Sequence, residues 1–128
     1  MLRASVAGAF VHAFKSLFEH YSDTPLDIEF CGKPYPIQYQ YAEEVFRKTA
    51  LAKGIPPPTK CFGIGDNPKS DIRGANRAGP HWRSILVRTG VFRGGENDEQ
   101  DPADFVAQDI LEAVQLVAAE VRKDQGML

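Results

Sequence analysis

Cysteine is scarce in this chain: 128 residues hold only Cys31 and Cys61. Two cysteines are too few for a disulfide framework, and their spacing matches no zinc site. Both lie in apolar, strand-like stretches, which predicts buried free thiols in a reducing compartment. Charge of one sign is also lacking: 15 Lys+Arg against 17 Asp+Glu leave a net charge of -2. That balance gives no reason to expect a nucleic acid or anionic membrane partner. No apolar run approaches the ~20 residues needed to span a bilayer. No internal repeat or low-complexity tract is present. With 43% hydrophobic and 25% charged residues, the composition is that of an ordinary globular domain.

Apolar periodicity divides the chain into alternating elements. From Ser5 to Tyr21, Val6, Phe10, Phe14 and Leu17–Phe18 recur at helical spacing. This stretch has no acid before Glu19, so it also fits an amphipathic mitochondrial targeting peptide; the plain amphipathic helix is the preferred reading. Ile28–Cys31 alternates weakly and is expected to form a short strand, ended by Gly32–Lys33–Pro34. Pro36 to Lys53 reads as a strong helix, with Ile37, Tyr41 and Val45 in one row and Ala42, Phe46 and Ala50 in the next. Lys53–Gly54 closes it. Cys61–Gly65 is a short apolar run between turn signals, a buried strand. Lys69–Ala78 reads as a helix, Ser84–Val87 as a strand, Phe105–Val106 as a third short strand and Gln108–Arg122 as the last helix. This order predicts an α/β fold: a parallel sheet flanked by helices and joined by crossovers.

In open α/β sheets, ligands bind beyond the carboxyl ends of the strands. After Gly63–Ile64–Gly65 come Asp66, Asn67 and then Asp71. Two carboxylates and an amide at one strand end make a hard-oxygen set suited to Mg²⁺. Taken singly, Asp66 is also an ordinary turn residue and Asp71 an ordinary first-turn helix acid. Lys33, on a loop whose Pro34 forbids helix, can set one compact positive charge against a phosphate or carboxylate. Other patterns fail. Gly63-x-Gly65 lacks the third glycine of a dinucleotide fingerprint, and an EF-hand begun at Asp66 would need Gly where Asp71 stands. No phosphate-loop or nucleophile-elbow motif occurs, and His12, His20 and His81 are scattered. Between Lys69 and Arg93 lie six bases and one acid, followed by the acidic stretch Glu96–Asp104. The basic segment can steer an anionic substrate; a solvated helix face and polar loop is the plainer reading.

Gly32–Lys33–Pro34, a helix, and then Gly65–Asp66–Asn67–Pro68–Lys69–Ser70–Asp71–Ile72–Arg73–Gly74–Ala75 resemble the lysine motif and the G-D-x-x-x-x-D acidic motif of the haloacid dehalogenase (HAD) superfamily. Ser84–Val91 is similar to the strand and loop that follow in that superfamily. Residues 1–22 look like the last helix of the type-two cap of class IIA members, and residues 23–128 like the C-terminal part of the Rossmann-like core. The group most resembled is the eukaryotic cat-eye-syndrome-critical-region hydrolases. The resemblance implies Mg²⁺-dependent hydrolysis of a phosphate ester on a small molecule. It makes Asp66, Asn67 and Asp71 the metal site and Lys33 the catalytic cation beside the phosphorylated intermediate. In such enzymes an aspartate attacks the phosphoryl group, and a second aspartate two residues on is the general acid/base.

The chain departs from that pattern. No D-x-D occurs anywhere in it, and the superfamily's second motif, a Ser or Thr at a strand end, has no clear counterpart. The expectation is therefore an incomplete core, inactive as this chain alone, with the Cys61–Gly65 strand at an open sheet edge. That edge is expected to take a complementary chain or a second copy. The alternative reading is a non-catalytic Mg²⁺- or phosphate-binding or partner-docking module. An intracellular location, cytoplasmic or mitochondrial, is expected.

Overall fold

Trp82–Val87, which we call β2, is the centre of a three-stranded parallel sheet. Every residue of it except Arg83 is buried, as its apolar run demands of a strand covered on both faces. The computed structural model describes residues 6–126. Ser5, where the sequence predicts the first helix to begin, lies outside the described residues, as do the last two.

The chain forms two compact units, Met1–Phe30 and Cys31–Leu128. In the first, helix α1 spans Val6–Tyr21. Phe10 stacks on Phe14 and Phe18 lies tilted against it, with ring centroids 6.5 and 6.4 Å apart, and Lys15 pairs with Glu19 one turn on. The strand expected at Ile28–Cys31 does not form; residues 25–31 carry no regular structure. A strand exists only against a neighbour, and among the described residues no ladder reaches this segment. Cys31 is consequently exposed, against the expectation of a buried thiol, while Cys61 is buried as expected.

In the second unit, α2 covers Ile37–Ala52, β1 Cys61–Gly65, α3 Arg73–Ala78, β3 Phe105–Ala107 and α4 Ile110–Asp124. Gly54 at φ +64 closes α2 in the left-handed conformation that glycine adopts without penalty. The sheet order is β1-β2-β3, with Cys61 opposite Trp82 and Val87 opposite Ala107. Neighbouring β1 residues point to opposite faces. Cys61 joins Tyr39, Ala75 and Trp82 under α2 and α3. Phe62 and Ile64 face Ile85, Val87, Ala107 and Ala113 under α4. Ile72, Leu86 and Ala103 form a third cluster near the strands' carboxyl ends. Polar β2 residue Ser84 is fully buried and satisfied: its N–H donates to Asp104 Oδ2 at 2.8 Å, and its hydroxyl accepts from Asp104 N at 3.0 Å.

This is a partial Rossmann-like core. β1 pairs only with β2, and among the described residues no strand lies beyond it. The helices on either face show the same shortfall. Ile37, Tyr41 and Val45 of α2 are exposed, as are Leu111, Val114 and Val121 of α4. The expected core row of α2 is thus displaced: Tyr39 and Ala50 are buried and Ala42 packs against the core, while Phe46 remains exposed.

Candidate functional site

The site forms where β1 ends. Gly65 leads into Asp66–Asn67, and Pro68–Ile72 winds as a π-helical turn before α3 begins. Its wide winding is visible in Arg73 N–H donating to Pro68 O, five residues back. The Asn67 side chain caps this turn by accepting from Lys69 N at 3.1 Å. The turn swings Asp71 back over the strand end, where its Oδ2 accepts from Asn67 N at 3.0 Å. A Cβ built on Gly65 would fall inside the Asp71 side chain, so glycine is required there by close approach.

Lys33 arrives from the other end of α2. Its Nζ donates to Asp71 Oδ1 at 2.6 Å, across 38 residues of sequence. The Asp71 side chain is 10% exposed and that of Lys33 48%, so an acid is held inside and its cation reaches solvent. An ammonium has three N–H donors, and the one facing Asp71 leaves two for another acceptor. Tyr39, from the first turn of α2, donates its hydroxyl to Asp71 O at 3.2 Å. Burial, and then the nearby Asp71 carboxylate, hold the Tyr39 phenol above its usual range, so it stays a donor.

Asp66 is held from a third side. Its Oδ2 accepts from Val91 N at 2.6 Å, and its backbone carbonyl accepts from Phe92 N at 2.9 Å. The loop after β2 thus closes over the end of β1. Among the described residues, no protein donor holds Asp66 Oδ1. Asn67 is turned to its own helix start, its Oδ1 taken by Lys69 N. Of the four residues predicted from sequence, Lys33 and Asp71 touch, and Asp66 and Asn67 lie on the same strand-end turn. Among the described residues, no group of three or more His, Cys, Asp or Glu side chains is arranged to hold a metal ion. The site is one carboxylate with an uncommitted oxygen, beside a lysine–carboxylate pair.

Three bases of the basic segment, Arg73, Arg88 and Arg93, are engaged within the fold. Arg73 pairs with Asp101 through two bonds of 2.8 and 2.7 Å, and this holds the Asp101 carboxyl below its usual range. Arg88 donates to Gly95 O and Glu96 O, and Arg93 to Gly90 O. These three bases tie loops together.

The HAD-hydrolase-like family model matches residues 30–113. That span contains both the lysine loop and the acidic turn. The chain belongs to the HAD-like hydrolases. A cardiolipin synthase (CMP-forming)/mitochondrial hydrolase fusion protein of Schizosaccharomyces pombe is 39% identical over 126 residues, covering 93% of this chain and 21% of its own length. A mitochondrial hydrolase of Saccharomyces cerevisiae is 31% identical over 126 residues, covering 84% of this chain and 35% of its own. The haloacid dehalogenase-like hydrolase domain-containing protein 2 of Bos taurus is 32% identical over 93 residues, covering 73% and 31%. This HAD-like chain therefore spans between about a fifth and about a third of the curated relatives it matches.

Sequence reasoning missed Tyr39, Val91 and Gly90. Tyr39 is in neither apolar row read along its helix, and a backbone N–H such as that of Val91 leaves no residue-type signal. Gly90, directly after Thr89 at a strand end, is a signal that could have been read.

Proposed function

We propose that this chain is the part of a Mg²⁺-dependent phosphate-ester hydrolase that carries the cation and the acidic turn, but not the attacking carboxylate. The observation that carries this reading is the meeting of Lys33 with Asp71 beside Asp66 at the carboxyl end of β1.

The donor set is compatible with Mg²⁺. That ion prefers oxygen ligands, takes only one or two carboxylates and keeps several waters. Asp66 would hold it through Oδ1. Asp71, with both oxygens engaged by Lys33 and Asn67, would fix the turn and act at longer range. When bound, Mg²⁺ supplies positive charge that stabilises a transferring phosphoryl group. Lys33 adds a second positive charge on the same side, with N–H donors left for a phosphate oxygen. The substrate class is a small molecule bearing a phosphate ester. With no D-x-D in the sequence, this chain alone is expected to release no phosphate above background from an aryl phosphate. The attacking carboxylate is expected on a further strand laid parallel to β1.

The names of two relatives, both mitochondrial hydrolases, support a mitochondrial location. A fluorescent fusion of the full-length gene product tests it, and exclusion from mitochondria would refute it.

Metal binding is tested by titrating Mg²⁺ against the ¹⁵N-labelled chain and its Asp66→Ala variant. Amide shifts centred on residues 65–72 in the wild type and absent from the variant are expected. Identical shifts in the two would remove the metal site.

A further inference from the structure

Both carboxylates of the site occupy space that a glycine leaves open. For Asp71 the glycine is Gly65, the last residue of β1; for Asp66 it is Gly90, in the loop after β2. A Cβ on Gly90 would fall inside the Asp66 carboxylate. Gly90 does not have a positive φ, so its requirement is steric and not conformational. The next residue, Val91, donates its N–H to Asp66 Oδ2 at 2.6 Å, and Phe92 N bonds the Asp66 carbonyl at 2.9 Å.

The loop is itself clamped. Arg88, at the end of β2, sends Nη2 to Gly95 O at 2.9 Å and to Glu96 O at 3.2 Å. Arg93 Nε reaches back to Gly90 O at 3.0 Å. Among the described residues, Arg88 Nε is buried without a partner. A buried, unsatisfied donor carries a cost, and here it accompanies a guanidinium committed to bridging the strand end and the far side of the loop. Two arginines therefore brace the segment that presents Gly90 and Val91 to Asp66.

We propose that Arg88–Phe92 is the positioning element for the metal-facing carboxylate. The Val91 N–H takes Oδ2, which leaves Oδ1 as the oxygen available to a divalent cation, and bare Gly90 lets the carboxylate lie flat against the loop. Arg88 acts through this loop and does not itself touch the ligand. The inference rests on the reading of Asp66 as a ligand, and the test separates the two.

The test uses the full chain with Mg²⁺ as the probe, in the wild type, Asp66→Ala, Gly90→Ala and Gly94→Ala. Gly94 has no atom near the place of an added Cβ and serves as the loop control. The first readout is the Val91 amide proton. A charge-assisted bond moves it downfield, and it is expected upfield in Asp66→Ala and Gly90→Ala but not in Gly94→Ala. The second is the Mg²⁺ affinity from amide shifts, expected to fall about tenfold or more in Gly90→Ala and to stay unchanged in Gly94→Ala, as for loss of a residue that orients a ligand. If Gly90→Ala does not fold, Arg88→Gln takes its place, with faster exchange of the Val91 amide and weaker Mg²⁺ binding expected. Gly90→Ala binding Mg²⁺ as the wild type does, while Asp66→Ala does not, would overturn the positioning role and leave the ligand reading intact. A wild type indifferent to Mg²⁺ would overturn the ligand reading, and the Val91 amide alone would then decide whether the loop holds the carboxylate.

Discussion

Lys33 Nζ and Asp71 Oδ1 lie 2.6 Å apart and join the loop before α2 to the π-helical turn after β1. Asp71 is the more buried partner and also accepts from Asn67 N. A hydrogen bond to a charged group contributes about 1.5–3 kcal/mol, reduced here because Lys33 is half exposed. Lys33→Ala is expected to destabilise the chain by about 1 kcal/mol. Asp71→Ala, which loses both bonds, is expected to cost about 2–3 kcal/mol. Urea unfolding of the two variants and their double mutant checks this. Strictly additive effects would show that the pair is not coupled.

Gly65→Ala probes the same relationship by volume. The added methyl has no room beside Asp71, so a loss of about 1–3 kcal/mol is expected. Gly32→Ala, in open space on the lysine loop, is the control and is expected to change little. Equal stabilities for the two variants in urea would contradict the packing of the turn against β1.

A pH dependence comes from the opposite end of the sheet. Glu43 Oε1 accepts from Trp82 Nε1 at 2.6 Å and lies 2.8 Å from His81 Nε2. The Trp82 bond, aided by His81 and opposed by partial burial, holds the Glu43 carboxyl below its ordinary 4.5. A depressed folded-state value means the stabilisation is present above pH 4.5 and is lost as pH falls through the folded value. Glu43→Gln is therefore expected to be less stable than the wild type at pH 7. The gap should narrow steadily below pH 4.5, as followed by thermal melts across pH. A gap independent of pH would contradict the assignment.

The edge of β1 has consequences for the isolated chain. An edge strand offers unpaired backbone groups to any other strand. The apolar rows Ile37–Tyr41–Val45 and Leu111–Val114–Val121 stand exposed on the helices that cover the sheet. Fully burying one such side chain contributes about 1.5–3 kcal/mol, a large part of the usual 5–15 kcal/mol of a domain. The chain alone is expected to sediment with a mass that rises with concentration and to melt below about 60 °C. A monomer at all concentrations with a cooperative transition above about 60 °C would contradict this.

Much of this was legible in the sequence. Short apolar runs flanked by glycine and proline gave away β1 and β2, because a parallel strand buried on both faces has no alternation to hide it. The carboxylates Asp66 and Asp71 stood out through their place after β1. The segment Ile28–Cys31 misled because its apolar pattern is real but a strand needs a neighbour. The π-helical turn was hidden because Pro68–Ile72 has the composition of an ordinary helix start. Tertiary contacts also escaped. That Lys33 would meet Asp71, or that a backbone N–H of Val91 would hold Asp66, depends on how loops far apart in sequence fold back onto one strand end.

The central claim is that Lys33 and Asp66 act together on a metal and a phosphate. The most direct measurement is ³¹P NMR of inorganic phosphate with the chain, with and without Mg²⁺, in the wild type, Lys33→Ala and Asp66→Ala. The account predicts weak binding, in the millimolar range of about 4 kcal/mol, that appears only with Mg²⁺ in the wild type and is lost in both variants. Phosphate binding of equal strength without Mg²⁺, or unchanged in both variants, would contradict it.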